Sequence, residues 1–197
     1  KRETNRHADM HVLGDYCYIS VGMVLNADEK VAKGDKFVKA DLISHNQDEI
    51  HCKKYIEGKD LERYSVKRVR FLEYGTERSP SKLRRSTFEE LYTNSKLLIN
   101  SLGELKASVD LGDYYYCEQQ VRMALLWKDL HGVENKSITT SIKKFSTMSR
   151  EDMEKLSETV DLRYLLGVMN SKYASVLLTN NRGGDYHITP EHIRNIP

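Results

Sequence analysis

Apolar residues fall in short blocks over the first two thirds of the chain and at helical spacing over the last third. Residues 17–25 (CYISVGMVL) form a run rich in Ile, Val and Tyr, bounded by Gly14-Asp15 and Asn26-Ala27-Asp28, which predicts a buried strand. Residues 66–74 (VKRVRFLEY) are β-rich but carry cations, as a half-exposed strand would. Residues 96–100, 105–110 and 114–127 add strand signal, with Gly103 and Leu111-Gly112-Asp113 as turns. Between them, Ser86-Thr87-Phe88-Glu89-Glu90-Leu91-Tyr92 places a hydroxyl residue before acids and an apolar pair, a helix start. From Ser149 the period changes. Ser149 and Asp152 make a capping-box-like opening to a polar helix ending near Thr159. Asp161 then caps a helix over 161–179, in which Leu162, Leu165, Leu166, Met169, Tyr173, Val176 and Leu177 recur every three or four positions. A loop follows, then a short strand at Tyr186-His187-Ile188, then Thr189 as N-cap with Pro190 at the first helical position.

These elements predict an α+β fold: a polar lead-in over 1–16, a strand-rich part over 17–148, and a helical segment over 149–197 packed on the same domain. A chain of 197 residues with 39% hydrophobic and 30% charged residues suffices for one full core. Its formal net charge of +2 excludes a polybasic, histone-like protein. With a mean hydropathy of -0.62, no membrane span is predicted; the longest apolar stretch, near 162–178, is interrupted by Arg163, Asn170 and Lys172. Cys17, Cys52 and Cys117 are few and widely spaced, which suits a reducing compartment. The chain opens on Lys1 without a signal-peptide pattern and ends on Pro197, so it reads as a piece of a longer cytoplasmic protein.

Motifs for autonomous catalysis are missing: there is no glycine-rich phosphate loop, no paired zinc motif and no serine elbow. His7 and His11 share a helical spacing but find no third ligand, and His51-Cys52 has no orienting group beside it. The fragment is expected to have no catalytic residue and no metal or cofactor of its own.

Charge is unevenly placed. Residues 53–85 hold eleven Lys/Arg against five acids, a local net of +6, while each flank comes to -2. Tyr55, Tyr64, Phe71 and Tyr74 are interleaved with those cations, the mixture that a nucleic-acid surface uses for phosphates, bases and sugars. The competing reading is a solvated strand-and-loop face.

Five segments, in order, resemble a known family: Tyr55-Ile-Glu-Gly-Lys-Asp-Leu-Glu-Arg-Tyr64; Phe71-Leu-Glu-Tyr74; Phe88-Glu-Glu-Leu-Tyr92 with Lys96-Leu-Leu-Ile99; Leu165-Leu-Gly-Val-Met-Asn-Ser-Lys172; and the stretch from Gly183-Gly-Asp-Tyr-His187 to Pro197. Together they resemble the TaqI-like C-terminal specificity domain, the target-recognition part of restriction-modification proteins, in particular type IIG enzymes carrying an N6-adenine methyltransferase. The resemblance runs from about Cys17 to Pro197 and is weakest over 111–160. It implies sequence-specific recognition of double-stranded DNA on behalf of methyltransferase and nuclease domains of the same parent chain. S-adenosylmethionine and Mg would belong to those domains, since neither the glycine motif nor an Asn-Pro-Pro-Tyr motif is present here.

The expected DNA contacts are chosen by chemistry. Lys53, Lys54, Lys59 and Arg63 are assigned to the backbone; Arg78, Lys82, Arg84 and Arg85 lie in a loop long enough to reach a groove. In the loop 182–187, Gly183 and Gly184 either allow Arg182, Tyr186 and His187 to approach phosphate or base, or form a helix cap and return turn with Tyr186 in the core. Met169, Tyr173 and Val176 are either core or a docking surface for another domain. Two other function classes stay open: a protein-interaction module whose basic face meets an acidic partner, and an RNA-modification accessory domain.

Overall fold

The computed structural model describes residues 10–25, 39–81 and 85–197. Ten strands are present among them: β1 (Cys17–Val21), β2 (Ile43–Ser44), β3 (His51–Ile56), β4 (Leu61–Glu62), β5 (Ser65–Val66), β6 (Arg70–Glu73), β7 (Lys96–Asn100), β8 (Ala107–Asp110), β9 (Tyr116–Cys117) and β10 (Val121–Leu126). The helices are α1 (Leu13–Tyr16), α2 (Glu90–Thr93), α3 (Lys136–Phe145), α4 (Arg150–Ser157), α5 (Leu162–Met169), α6 (Lys172–Arg182) and α7 (Pro190–Arg194). The fold is α+β, with helices gathered toward the C-terminus.

The first sheet is antiparallel, in the order β1-β10-β7-β8. Both of its faces are buried. Tyr18, Leu98, Met123 and Leu125 point into a cluster shared with the second sheet, while Cys17, Ile19, Leu97, Ile99, Ala124 and Leu126 pack under Leu162, Leu165, Leu166, Met169, Leu178 and Ile193. A strand covered on both sides has no reason to alternate, which is why its segments read as continuous apolar runs. The second sheet runs β2-β6-β3-β9, antiparallel except where β3 meets β9. The β4–β5 hairpin stands apart, docked on β8 through Tyr64 N–H to the Ala107 carbonyl at 2.8 Å.

The two sheets meet where β1 runs out. Met23 bridges Glu118 in parallel, its N–H donating to the Cys117 carbonyl at 2.8 Å. The expected strand over 17–25 therefore stops at Val21, because Gly22 is pressed against the backbone of the other sheet. A Cβ on Gly22 would fall 2.0 Å from the Glu118 carbonyl oxygen and 2.3 Å from that of Cys117. Neither atom can step aside as a side chain does. Gly22→Ala is expected to destabilise the protein by about 1–3 kcal/mol or more. Gly167→Ala, in α5 with nothing within 4 Å, is expected to stabilise by roughly 0.5–1 kcal/mol. Paired urea titrations check both signs.

Other boundaries move for identifiable reasons. The stretch 66–74 is two strands, since Lys67 N–H turns back to the Asp60 carbonyl at 2.8 Å. The stretch 105–110 starts at Ala107, because the Asn100 side chain gathers the Leu102 and Glu104 carbonyls and Lys106 N–H into a turn. The stretch 114–127 divides at a turn closed by Val121 N–H on the Glu118 carbonyl. The single helix expected over 161–179 is α5 and α6, broken at Asn170, whose buried amide bonds both the N–H and the carbonyl of Ala107. Ser171 then caps α6 through Ala174 N–H.

The caps at Ser149, Asp161 and Thr189 form as the sequence predicts. Helix α3 was not anticipated, although Asn135 caps it and Ile138, Ile142 and Phe145 share one side of it. Among the described residues no helix is long and apolar enough to cross a membrane.

Candidate nucleic-acid interface

The segment 55–64 is built around a knot of charges. After β3, Glu57 leads into a tight turn at Gly58–Asp60, and Asp60 accepts from Glu57 N–H at 2.9 Å. Arg70, reaching across from β6, pairs with Asp60 and with Glu57 at 3.1 Å. Lys39 and Lys59 each lie 2.7 Å from the Glu57 carboxylate, and Lys39 also pairs with Glu118. Burial pushes the Glu57 carboxyl up, but hydrogen bonds from Lys39, Lys59 and Arg70 overcome it and hold the group at about 2. In this arrangement Asp60 and Arg70 are buried structural groups, and they fix the base of the β4–β5 hairpin.

The predicted DNA contacts part company here. Lys53 lies over the Tyr116 ring, 5.7 Å from its centroid. Lys54 pairs with Asp113, Lys59 with Glu57, and Arg78 with Glu73 while also donating to the Asp41 carbonyl at 3.1 Å. Burial raises the Glu73 carboxyl, and the Arg78 and Thr76 hydrogen bonds bring it below its ordinary range. Arg85 is exposed with φ +48°. Lys82 and Arg84 lie outside the described residues.

Arg63 differs from these. It is exposed at the hairpin tip and makes no ion pair among the described residues; Lys67 and Arg68, just beyond β5, share that state. Between the hairpin and α6 opens a cleft of about 550 Å³, lined in part by Arg63, Glu104, Asn180, Arg182 and Tyr186. Sequence-distant Arg63 and Arg182 thus meet in one place. Arg182 ties the cleft's wall, donating to the Gly103 carbonyl at 2.9 Å and the Tyr186 carbonyl at 3.3 Å, while its Nε is buried without an acceptor.

In the loop beyond α6 the helix cap forms, but Tyr186 stays out of the core. Gly183 is a left-handed helix cap at φ +59° and Gly184 follows at +93°, yet Tyr186 is 77% exposed and outside the core. His187 pairs with Asp185 at 2.8 Å and bridges Leu102. Lys67, Arg68 and Tyr64 were not selected from the sequence as contacts; the signal lay in the short Arg63-Tyr64 turn between Leu61-Glu62 and Ser65-Val66.

Of the three consecutive tyrosines at 114–116, Tyr115 and Tyr116 are buried and Tyr114 is exposed. Met169 belongs to the core, whereas Tyr173 and Val176 are exposed. Cys17 and Cys117 are buried, and burial pushes the Cys117 thiol up to about 12, so neither is poised as a thiolate. No cluster of three His, Cys, Asp or Glu that suits a metal occurs among the described residues. Comparison with protein-family models and with curated proteins finds no match.

Proposed function

We propose that this chain is a sequence-specific DNA-recognition domain of a restriction-modification protein, presenting duplex DNA to an N6-adenine methyltransferase or endonuclease domain and performing no chemistry itself. The observation that carries the reading is the hairpin: Arg63, Lys67 and Arg68 are exposed and make no ion pair among the described residues, near an exposed Tyr64 and a cleft lined by Arg182 and Tyr186. Among the described residues of the basic segment, Lys54, Lys59, Arg70 and Arg78 are paired with carboxylates, which leaves these three better placed to displace counterions from phosphates. The ordered resemblance to TaqI-like specificity domains supports the same reading and supplies the partner. Such a reader grips the duplex opposite a methyltransferase that must flip its adenine. Tyr164 on α5 and Tyr173 on α6 are exposed and available for contact with that domain.

Fluorescence anisotropy with duplex DNA tests the reading. Three phosphate contacts give a slope of log affinity against log salt of about -3. The triple variant Arg63→Glu/Lys67→Glu/Arg68→Glu is expected to lose roughly tenfold or more in affinity for all sequences alike and to flatten that slope. Lys54→Glu/Lys59→Glu, which alters cations already paired, is expected to change binding less. Binding to an acidic protein surface in preference to duplex DNA would favour the interaction module instead, and no binding at low salt would overturn the proposal.

A further inference from the structure

Tyr64 occupies the tip of the β4–β5 hairpin with φ +68°, in the left-handed region, and is 60% exposed. A bulky side chain strains the backbone there, where glycine or asparagine sits at lower cost. The backbone gains the bond from Tyr64 N–H to the Ala107 carbonyl, but the side chain gains nothing among the described residues. The ring makes no aromatic or cation contact and the hydroxyl no hydrogen bond among the described residues. The backbone beneath it is nonetheless rigidly held, by Tyr64 N–H on Ala107 and by Lys67 N–H on Asp60, itself locked by Arg70. A strained residue on a firm pedestal with an unused aromatic ring is what an external contact requires.

Its neighbours indicate what that contact is. Arg63 precedes Tyr64 at the hairpin tip, and Lys67 and Arg68 follow just beyond β5, all three exposed and without an ion pair among the described residues. Tyr114 has a similar backbone, φ +56° and half exposed, but it sits beside Asp113 in a loop folded around the Asp110 carboxylate, where phosphate is not favoured. We infer that Tyr64 is a stacking wedge: its ring packs on a nucleobase that has left the DNA stack, while the adjacent cations hold the phosphates on either side. Stacking on an aromatic face is tolerant of base identity, so the contact adds affinity for opened DNA and leaves base reading to other side chains. The inference rests on the DNA reading above and goes beyond it in assigning the residue and the state of the base.

The test compares a fully paired duplex with the same duplex carrying one bulged adenine, by competition anisotropy on the 197-residue chain. The wild type is expected to prefer the bulged duplex by roughly fivefold or more. Tyr64→Phe keeps the ring and should keep the preference. Tyr64→Asn relieves the backbone, so its melting temperature should equal or exceed that of the wild type, while the preference disappears and paired-duplex binding keeps its salt slope. Absence of a preference in the wild type, its persistence in Tyr64→Asn, its loss in Tyr64→Phe, or a fall in melting temperature accompanying its loss would each overturn the wedge. With paired-duplex binding intact, those results leave the DNA-recognition proposal standing; absence of all DNA binding overturns both.

Discussion

Asp110→Ala is expected to destabilise the protein by about 3–5 kcal/mol at neutral pH, measured by chemical denaturation. Asp110 and Lys96 form an ion pair at 2.7 Å in which both side chains are fully buried. Lys96 further donates to the Tyr92 and Asn94 carbonyls, at 2.9 and 3.1 Å. The aspartate does more. Its Oδ1 accepts from the N–H groups of Gly112, Asp113 and Tyr114, and its Oδ2 from that of Tyr115. Removing the carboxylate strands a buried ammonium and leaves four loop N–H groups without their acceptor. Lys96→Met removes the charge from the other side and leaves the aspartate its four backbone donors, so it should cost less. Equal losses in the two variants would mean that the loop contributes nothing beyond the ion pair. The same loop carries Asp113, the partner of Lys54, so Asp110→Ala is also expected to release that lysine.

How far the sequence foretold this architecture depends on what each residue answers to. Caps are local chemistry, and Ser149, Asp161 and Thr189 were legible because the side chain and the N–H it serves lie within three residues. The apolar runs at 17–21, 96–100 and 121–126 were legible as strands, but not their places in a sheet covered on both faces. Breaks set by distant partners were not legible. Asn170 ends a helix where its amide bonds the N–H and the carbonyl of distant Ala107, and Gly22 ends a strand because β9 lies against it. The candidate interface follows the same division. A count of cations located the basic segment, yet it could not tell the lysines and arginines that pair with Glu57, Glu73 or Asp113 from those that make no ion pair among the described residues. Nor could it bring Arg182 to Arg63, since that meeting depends on how α6 packs beside the β4–β5 hairpin. Charge density marks a segment, whereas availability of charge is a property of the fold.

Arg70→Met is expected to cost about 3–5 kcal/mol at neutral pH, and to cost less as the solution is acidified. The guanidinium faces Glu57 and Asp60, both buried, and among the described residues Lys39 and Lys59 remain paired with Glu57 when it is gone. In the wild type the folded Glu57 carboxyl titrates at about 2, below its ordinary value of 4.5. A carboxyl depressed by folding contributes stability that is fully present above the unfolded value and is lost as pH falls toward the folded one. Glu57 therefore makes the protein progressively less stable between about pH 4.5 and pH 2. Glu57→Gln should flatten that part of the profile, with the remaining slope due to other depressed carboxyls such as Glu73 and Asp113. In Arg70→Met the Glu57 carboxyl is less well held, so its part of the acid loss should move to higher pH. Denaturation midpoints for the three proteins at pH 7 and pH 3 decide the matter; a pH-independent difference between wild type and Glu57→Gln would mean that Glu57 is not held in its charged form. Because Asp60 anchors Lys67 at the base of the hairpin, Arg70→Met should also weaken duplex binding under conditions where the protein is still folded, although Arg70 itself touches no phosphate in the proposed complex.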